Sequence, residues 1–380
     1  MFIRLFSGVA AMACIVQSLS AQSLGETVYK KRCAACHEQT NPRIPHRDTL
    51  KKMPAVRIRR SLDFGATMSV ASTSRRDERG AVAAYLGTVG LEPAPPPTAF
   101  CGDRSVAVAN SPKWAWNGWS PTPTNTRFQS GDMAGLTIGD VRRLTLKWAF
   151  GFDGDVTAFR TADYFGPPDF CWECWGGDSC SPCGNRCLQW TFQANGPVRS
   201  AILAVPVGKE HALLFGDQTG CFYSLAAETG RLLWKKKIEE HDAARLTGAP
   251  IAHDGTVFVP VASWEETRAA DPQYACCTFR GSVVALRIQD GKQVWNSYTV
   301  ADTPKETGKT RRGTPQLGPS GTGIWSAPTL DLKRRLLYVY VTTSDHYSSP
   351  PTATSDAILA LELSTGTCCL VQANDARGRL

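Results

Sequence analysis

The chain's 380 residues suffice for two or three domains at ~100–200 residues each, and 42% hydrophobic with 20% charged residues excludes wholesale disorder or collagen-like repetition. Its net charge of +8 comes from 42 Lys and Arg scattered among 34 Asp and Glu. No basic stripe interleaved with aromatics is present, so a nucleic-acid role has no support.

Met1–Arg4 is a short positive start, and Leu5–Val16 is a mostly apolar run followed by Ser18, Ser20 and Ala21. This pattern predicts a secretory signal peptide over residues 1–21, too short to span a bilayer, and hence a periplasmic mature chain. Cys14 after Ala13 resembles a lipoprotein cleavage site, but the leader before it is very short.

Cys33-Ala34-Ala35-Cys36-His37 is a C-x-x-C-H motif, the attachment signature of c-type haem. Two thiols at that spacing can add to the haem vinyl groups, and His37 can reach the iron from the same loop. Such iron often takes Met as its second ligand. Met53 and Met68 are the candidates; Met68 follows the Gly65-Ala66 turn and precedes a helix-like stretch, Arg76–Leu86, and is the predicted ligand. A disulfide or redox C-x-x-C is the alternative for the two thiols. Residues 22–92 therefore read as a small α-helical cytochrome c domain, and the Pro-rich stretch opening at Leu91–Pro97 marks residues 93–112 as a linker.

Beyond the linker, short β-branched and aromatic runs repeat. Phe222–Leu225, then Thr229-Gly230 and Trp234, superimpose on Val283–Leu286, Gly291 and Trp295 with a shift of 61 positions. Ile358–Leu361 and Gly366 match a third time, with Leu370 where Trp is expected. Trp148 and Trp190 are earlier anchors. A strand, a tight turn and a strand ending in Trp, repeated every 40–60 residues, predicts a β-propeller over residues 113–380. The 33 Gly, 24 Pro and 11 Trp agree with a mainly β, turn-rich protein.

The phrase A-x-E-T-G-x-x-x-W, together with Trp116–Trp119 and Asn125–Phe128, resembles the propeller of quinohaemoprotein alcohol dehydrogenases dependent on pyrroloquinoline quinone (PQQ). A cytochrome placed before the propeller, and the stretches Tyr274–Gly281 and Asp242–Gly248, resemble the polyvinyl-alcohol dehydrogenases of that family. The resemblance implies an eight-bladed propeller, PQQ polarised by Ca²⁺, oxidation of secondary alcohols, and electrons leaving through haem c to a soluble cytochrome c or another acceptor. It implies an alcohol substrate, polymeric or small. Arg199 would pair with a PQQ carboxylate, Thr247 would donate to PQQ, and Trp325 would form the floor beneath it. Glu265, with Glu266 as rival, would be shared between Ca²⁺ and PQQ. Cys276 and Cys277 could close a vicinal ring stacked on PQQ, or pair separately, or remain thiols. A non-enzymatic cytochrome–propeller scaffold is the alternative of a different class.

Two places depart from this pattern. Cys171, Cys174, Cys180, Cys183 and Cys187 crowd a segment where the repeat demands strand and turn. They replace blade sequence without adding any, which fits a locally altered reading frame better than disulfides or a metal knuckle. At Thr343–Ser348, His346 stands where the family has a Ca²⁺-ligating Asn, leaving Asp345 as the substitute. Residues 113–380 hold about six blades at ~40–45 residues each, so the propeller is expected to be incomplete. The family's catalytic Asp would lie beyond Gly366, and Asp375 has no matching context, so no base is assigned and the chain as written is expected to be inactive.

Overall fold

The computed structural model describes residues 24–65, 67–71, 73–90, 96–100, 117–146, 190–342 and 349–373. The leader, most of the linker, Trp148, the five-cysteine segment, Asp345, His346 and Asp375 lie outside the described residues. Two compact units are distinguished, one within Met1–Pro95 and one formed by most of the remainder. No helix among the described residues is long and apolar enough to cross a membrane.

The first unit is helical: α1 (24–32), α2 (Ala34–His37), α3 (Arg47–Leu50), α4 (Ala55–Phe64), α5 (Met68–Ala71) and α6 (Arg76–Leu86). Asp77 and Glu78 occupy the first turn of α6, where acidic groups complement the helix dipole, and Glu78 accepts from the Arg75 N–H at 2.8 Å. Gly25 lets α1 cross α6 closely: a Cβ there would fall 2.7 Å from Tyr85 Cβ. Val28, Tyr29, Leu50, Ile58, Val82 and Leu86 form the core. Asp63 on α4 accepts from Arg59 at 2.6 Å and from Arg79 of α6 at 2.5 Å, tying the two longer helices together.

The second unit carries three antiparallel sheets of four or five strands and a two-stranded ribbon; sheets one and three are meanders in chain order. Sheet one comprises β1 (Leu203–Val207), β2 (Glu210–Gly216), β3 (Cys221–Ala226) and β4 (Leu232–Lys237). Sheet two comprises β5 (Ala244–Arg245) and β6 (Ile251–His253), both paired to β7 (Thr256–Ser263), then β8 (Ser282–Arg287) and β9 (Gln293–Tyr298). A two-stranded ribbon follows, β10 (Lys305–Lys309) with β11 (Pro315–Gly318). Sheet three comprises β12 (Thr329–Asp331), β13 (Leu336–Val341), β14 (Ala357–Glu362) and β15 (Cys368–Ala373).

Central strands such as β3 and β8 are apolar and buried, whereas the outermost strand β4 is only half-buried. One apolar cluster joins sheets one and two through Leu214, Phe222, Val259 and Leu286. Another joins sheets two and three through Phe258, Ala285, Leu337 and Leu359. Faces buried only against neighbours are the mark of propeller blades. The repeat also holds in register: Ser224 opposes Trp234, Ala285 opposes Trp295 and Ala360 opposes Leu370, each beside a bulge. The described residues are thus mainly β, with three consecutive propeller-type blades.

Each Trp reaches into the next blade. Trp190 Nε1 donates to Ala227 O at 3.0 Å, Trp234 Nε1 to Ile288 O at 2.7 Å, and Trp295 Nε1 to Leu363 O at 3.0 Å. The ring covers the turn glycine that follows, Gly230, Gly291 or Gly366, at φ of 69°, 68° and 72°. Only glycine combines that left-handed backbone with room for an indole.

Candidate functional site

In the helical unit, Cys33, Cys36 and His37 line a cavity of ≈ 380 Å³. Its walls are apolar, with Val28, Leu50, Ile58, Leu62, Val82 and Leu86, and Arg32, Arg43 and Arg57 also face it. Both cysteines are free thiols, and burial pushes the Cys33 thiol up against the opposing pull of Arg32. His37 Nδ1 lies 2.7 Å from Pro45 O, so that nitrogen carries the proton and Nε2 is left as a metal ligand. Two free thiols, a tautomer-fixed imidazole and an apolar cavity fit a covalently attached haem.

The two methionines occupy different places. Met53 lines the cavity and packs on the apolar core, while its carbonyl accepts from the Thr88 N–H at 2.8 Å. Met68, predicted as the ligand, opens α5 and is not among the lining side chains, although Thr67, Val70 and Ala71 beside it are.

In the propeller unit, the segments bearing Arg199, Thr247, Trp325 and Glu265 are linked through a chain of close backbone approaches at one end of the first two sheets. Ser200, next to Arg199, exchanges hydrogen bonds with Gly216 at 3.1 and 3.2 Å. A Cβ on Gly216 would meet Leu246 Cβ at 2.5 Å, beside Thr247. A Cβ on Gly248 would meet Ser326 O at 2.8 Å, beside Trp325. The Ile324 N–H donates to Val261 O at 3.1 Å, laying the Trp325 segment along β7, which leads into Glu265. Trp325 meets Trp264 edge-on, with ring centroids 5.4 Å apart.

Burial lowers the pKa of the half-buried Arg199 guanidinium, a setting that favours an anionic partner. The Thr247 hydroxyl is buried and has no hydrogen-bond partner among the described residues. A buried hydroxyl without a partner is costly, and a ligand acceptor would relieve it. Cys276 and Cys277 are joined as a vicinal disulfide. An orphaned hydroxyl, a desolvated guanidinium, an indole and a disulfide ring fit a flat, polyanionic ring compound such as PQQ.

Glu265 is fully buried in the first turn of a short helix, α7 (Glu265–Arg268). Burial would raise its pKa, but His241 and the N–H groups of Thr278 and Phe279 outweigh this and hold the carboxyl below its ordinary value. Glu266 behaves oppositely: burial and the neighbouring Glu265 push it up. His241 carried no signal in the sequence, because a single His within Glu239–Asp242 has no motif; only the fold sets it against Glu265.

The PQQ_2 family model, described as outer membrane protein assembly factor BamB, matches residues 187–320. A polyvinylalcohol dehydrogenase of Sphingopyxis sp. (strain 113P3) is 34% identical over 362 residues, covering 90% of this chain and 54% of the relative. Another of that name, from Pseudomonas sp, is 34% identical over 382 residues, covering 94% of this chain and 59% of the relative. The chain thus spans little more than half the length of these curated relatives. Among solved structures, a europium-containing methanol dehydrogenase overlaps 49% of this chain and 35% of its own, at 18% identity and a TM-score of 0.36.

Proposed function

The chain is related to the polyvinylalcohol dehydrogenases through at least nine-tenths of its length, and on that premise we propose that it is the cytochrome and partial propeller of a periplasmic, PQQ-dependent alcohol dehydrogenase. The observation that carries this reading is the convergence of Arg199, the partnerless Thr247 hydroxyl, Trp325 and the Cys276–Cys277 ring at one end of adjoining blades. Bound there, PQQ would supply a two-electron acceptor for the carbinol hydrogen of a secondary alcohol.

Arg199 would hold a ligand carboxylate through its planar fork, and Thr247 would donate a hydrogen bond to a ring oxygen. Trp325 and the disulfide ring would set the plane of the ligand and keep water off its faces. A Ca²⁺ would need hard oxygen ligands; Glu265, with Glu266 as rival, and Asp345 are those the resemblance implies. Cys33 and Cys36 would hold haem c as thioethers, with His37 on the iron. Met68 is the proposed distal ligand, on the short helix α5 whose Val70 and Ala71 line the cavity; Met53, which lines it directly, is the rival. Haem would pass electrons singly to a soluble cytochrome c or another acceptor.

Equilibrium dialysis of the 380-residue chain against PQQ tests the reading. Retention that requires Ca²⁺ is the expected result. Absence of retention by a chain with folded blades would favour a non-enzymatic cytochrome–propeller scaffold.

A further inference from the structure

The buried carboxylate of Glu265 is already occupied. Its Oε1 accepts from the Thr278 N–H at 2.9 Å and the Tyr274 hydroxyl at 3.0 Å, and lies 3.3 Å from His241 Nε2. Its Oε2 accepts from the Phe279 N–H at 2.8 Å. His241 Nδ1 accepts from the Ala243 N–H at 3.1 Å, so the neutral ring carries its proton on Nε2, towards the carboxylate. Thr278 Oγ1 approaches Oε1 as well, at 3.5 Å, so the donors around Oε1 exceed its two acceptor sites, while Oε2 keeps one site besides the Phe279 N–H.

Both backbone donors follow Cys277 directly. On the other side, the Cys277 N–H donates to Leu317 O at 3.0 Å, and the Leu317 N–H donates to Cys276 O at 2.5 Å. The disulfide is therefore held between β11 and the Glu265 carboxylate, an oxygen of which lies within 4.8 Å of both sulfurs.

We propose that Glu265, oriented by His241 and Tyr274, is a positioning residue that clamps the Cys276–Cys277 ring, and is not a cation ligand. A hard cation prefers six to eight oxygens, and here would find one acceptor site, on Oε2 of a carboxylate with no surface exposure. A negative charge beside the sulfurs also opposes the approach of an attacking thiolate. The proposal needs neither PQQ nor alcohol, so it stands or falls apart from the quinone reading.

The test is the rate at which dithiothreitol reduces the pair in the full chain, followed by alkylation and mass spectrometry. Each event breaks one S–S bond, leaves two thiols on the protein and oxidises one reagent molecule to its cyclic disulfide. Glu265→Gln should raise the rate about tenfold, and His241→Gln and Tyr274→Phe about two- to fivefold each, while Glu266→Gln leaves it unchanged. Should Glu265→Gln fail to fold, the His241 and Tyr274 variants carry the test, with far-UV circular dichroism as the folding control. Terbium luminescence supplies a second readout: any Tb³⁺ binding by the parent chain should persist in Glu265→Gln, or in Tyr274→Phe if that variant does not fold. Reduction rates within twofold of the parent in all folded variants would overturn the proposal. So would loss of Tb³⁺ binding in a folded Glu265→Gln.

Discussion

The indole of Trp295 lies over Gly366, so close that a Cβ at residue 366 would fall 2.5 Å from ring atom Cε3. The same pairing sets Trp234 over Gly291 and Trp190 over Gly230, which makes the contact a unit of the architecture. It joins one blade's outer strand to the next blade's turn. Nothing equivalent is supplied by Leu370, which is 53% exposed on β15.

Trp295→Ala should therefore destabilise the contact between sheets two and three by about 3–5 kcal/mol, combining lost burial with a cavity. Gly366→Ala should cost at least about 1–2 kcal/mol from the left-handed backbone alone, before any clash with the indole. Urea unfolding followed by tryptophan fluorescence measures both. Leu370→Ala, at an exposed position, should change stability by no more than about 0.5 kcal/mol.

The repeat was legible because its three signals, strand, turn glycine and Trp, occupy fixed offsets that one contact explains. The C-x-x-C-H motif was legible because attachment chemistry requires adjacent residues. His37 bonding to Pro45 O, Gly25 under Tyr85 and His241 against Glu265 were not, since each joins residues by folding rather than by spacing. The β10–β11 ribbon escaped for another reason: Lys305–Lys309 is exposed throughout and has no apolar alternation to read. The choice between Met53 and Met68 could not follow from neighbouring residues alone, because it depends on which wall faces the iron.

Expression in a periplasm with haem maturation should give a covalent c-type chromophore. Alkaline pyridine spectra should show the haem c band, and Cys33→Ala with Cys36→Ala should abolish covalent attachment. A chromophore extracted intact by acid acetone would show that the thiols are not its anchors.

Met68→Ala should remove the weak near-infrared Met–iron band and lower the haem potential, whereas Met53→Ala should preserve the band. Loss of the band in Met53→Ala alone would assign the ligand to the cavity-lining methionine instead.

The pH dependence of stability follows from Glu265. Its folded pKa is depressed below the ordinary 4.5, so its contribution is present above that value and is lost as pH falls through the folded pKa. Tyr274 is the converse: burial and then Glu265 push its pKa up to about 12, so its contribution is full below the ordinary 10.0 and is lost as pH rises through 12. Urea midpoints of Glu265→Gln and the parent should differ most near neutrality and converge in acid. A difference that grows as pH falls below 4 would reverse the assigned sign.

In the proposed function, a quinone site on the blades feeds a covalent haem in the same chain. Rapid mixing of the oxidised, haem-loaded chain with reduced PQQ and Ca²⁺ tests it most directly, because that reaction bypasses the unassigned proton acceptor of alcohol oxidation. Haem reduction, followed by its absorbance, should saturate with reduced PQQ at a limiting first-order rate. Arg199→Gln and Thr247→Val should weaken the half-saturating concentration about tenfold without changing the haem spectrum. A rate that rises linearly with reduced PQQ, identically in the parent and both variants, would show that the quinone reacts from solution and would contradict the account.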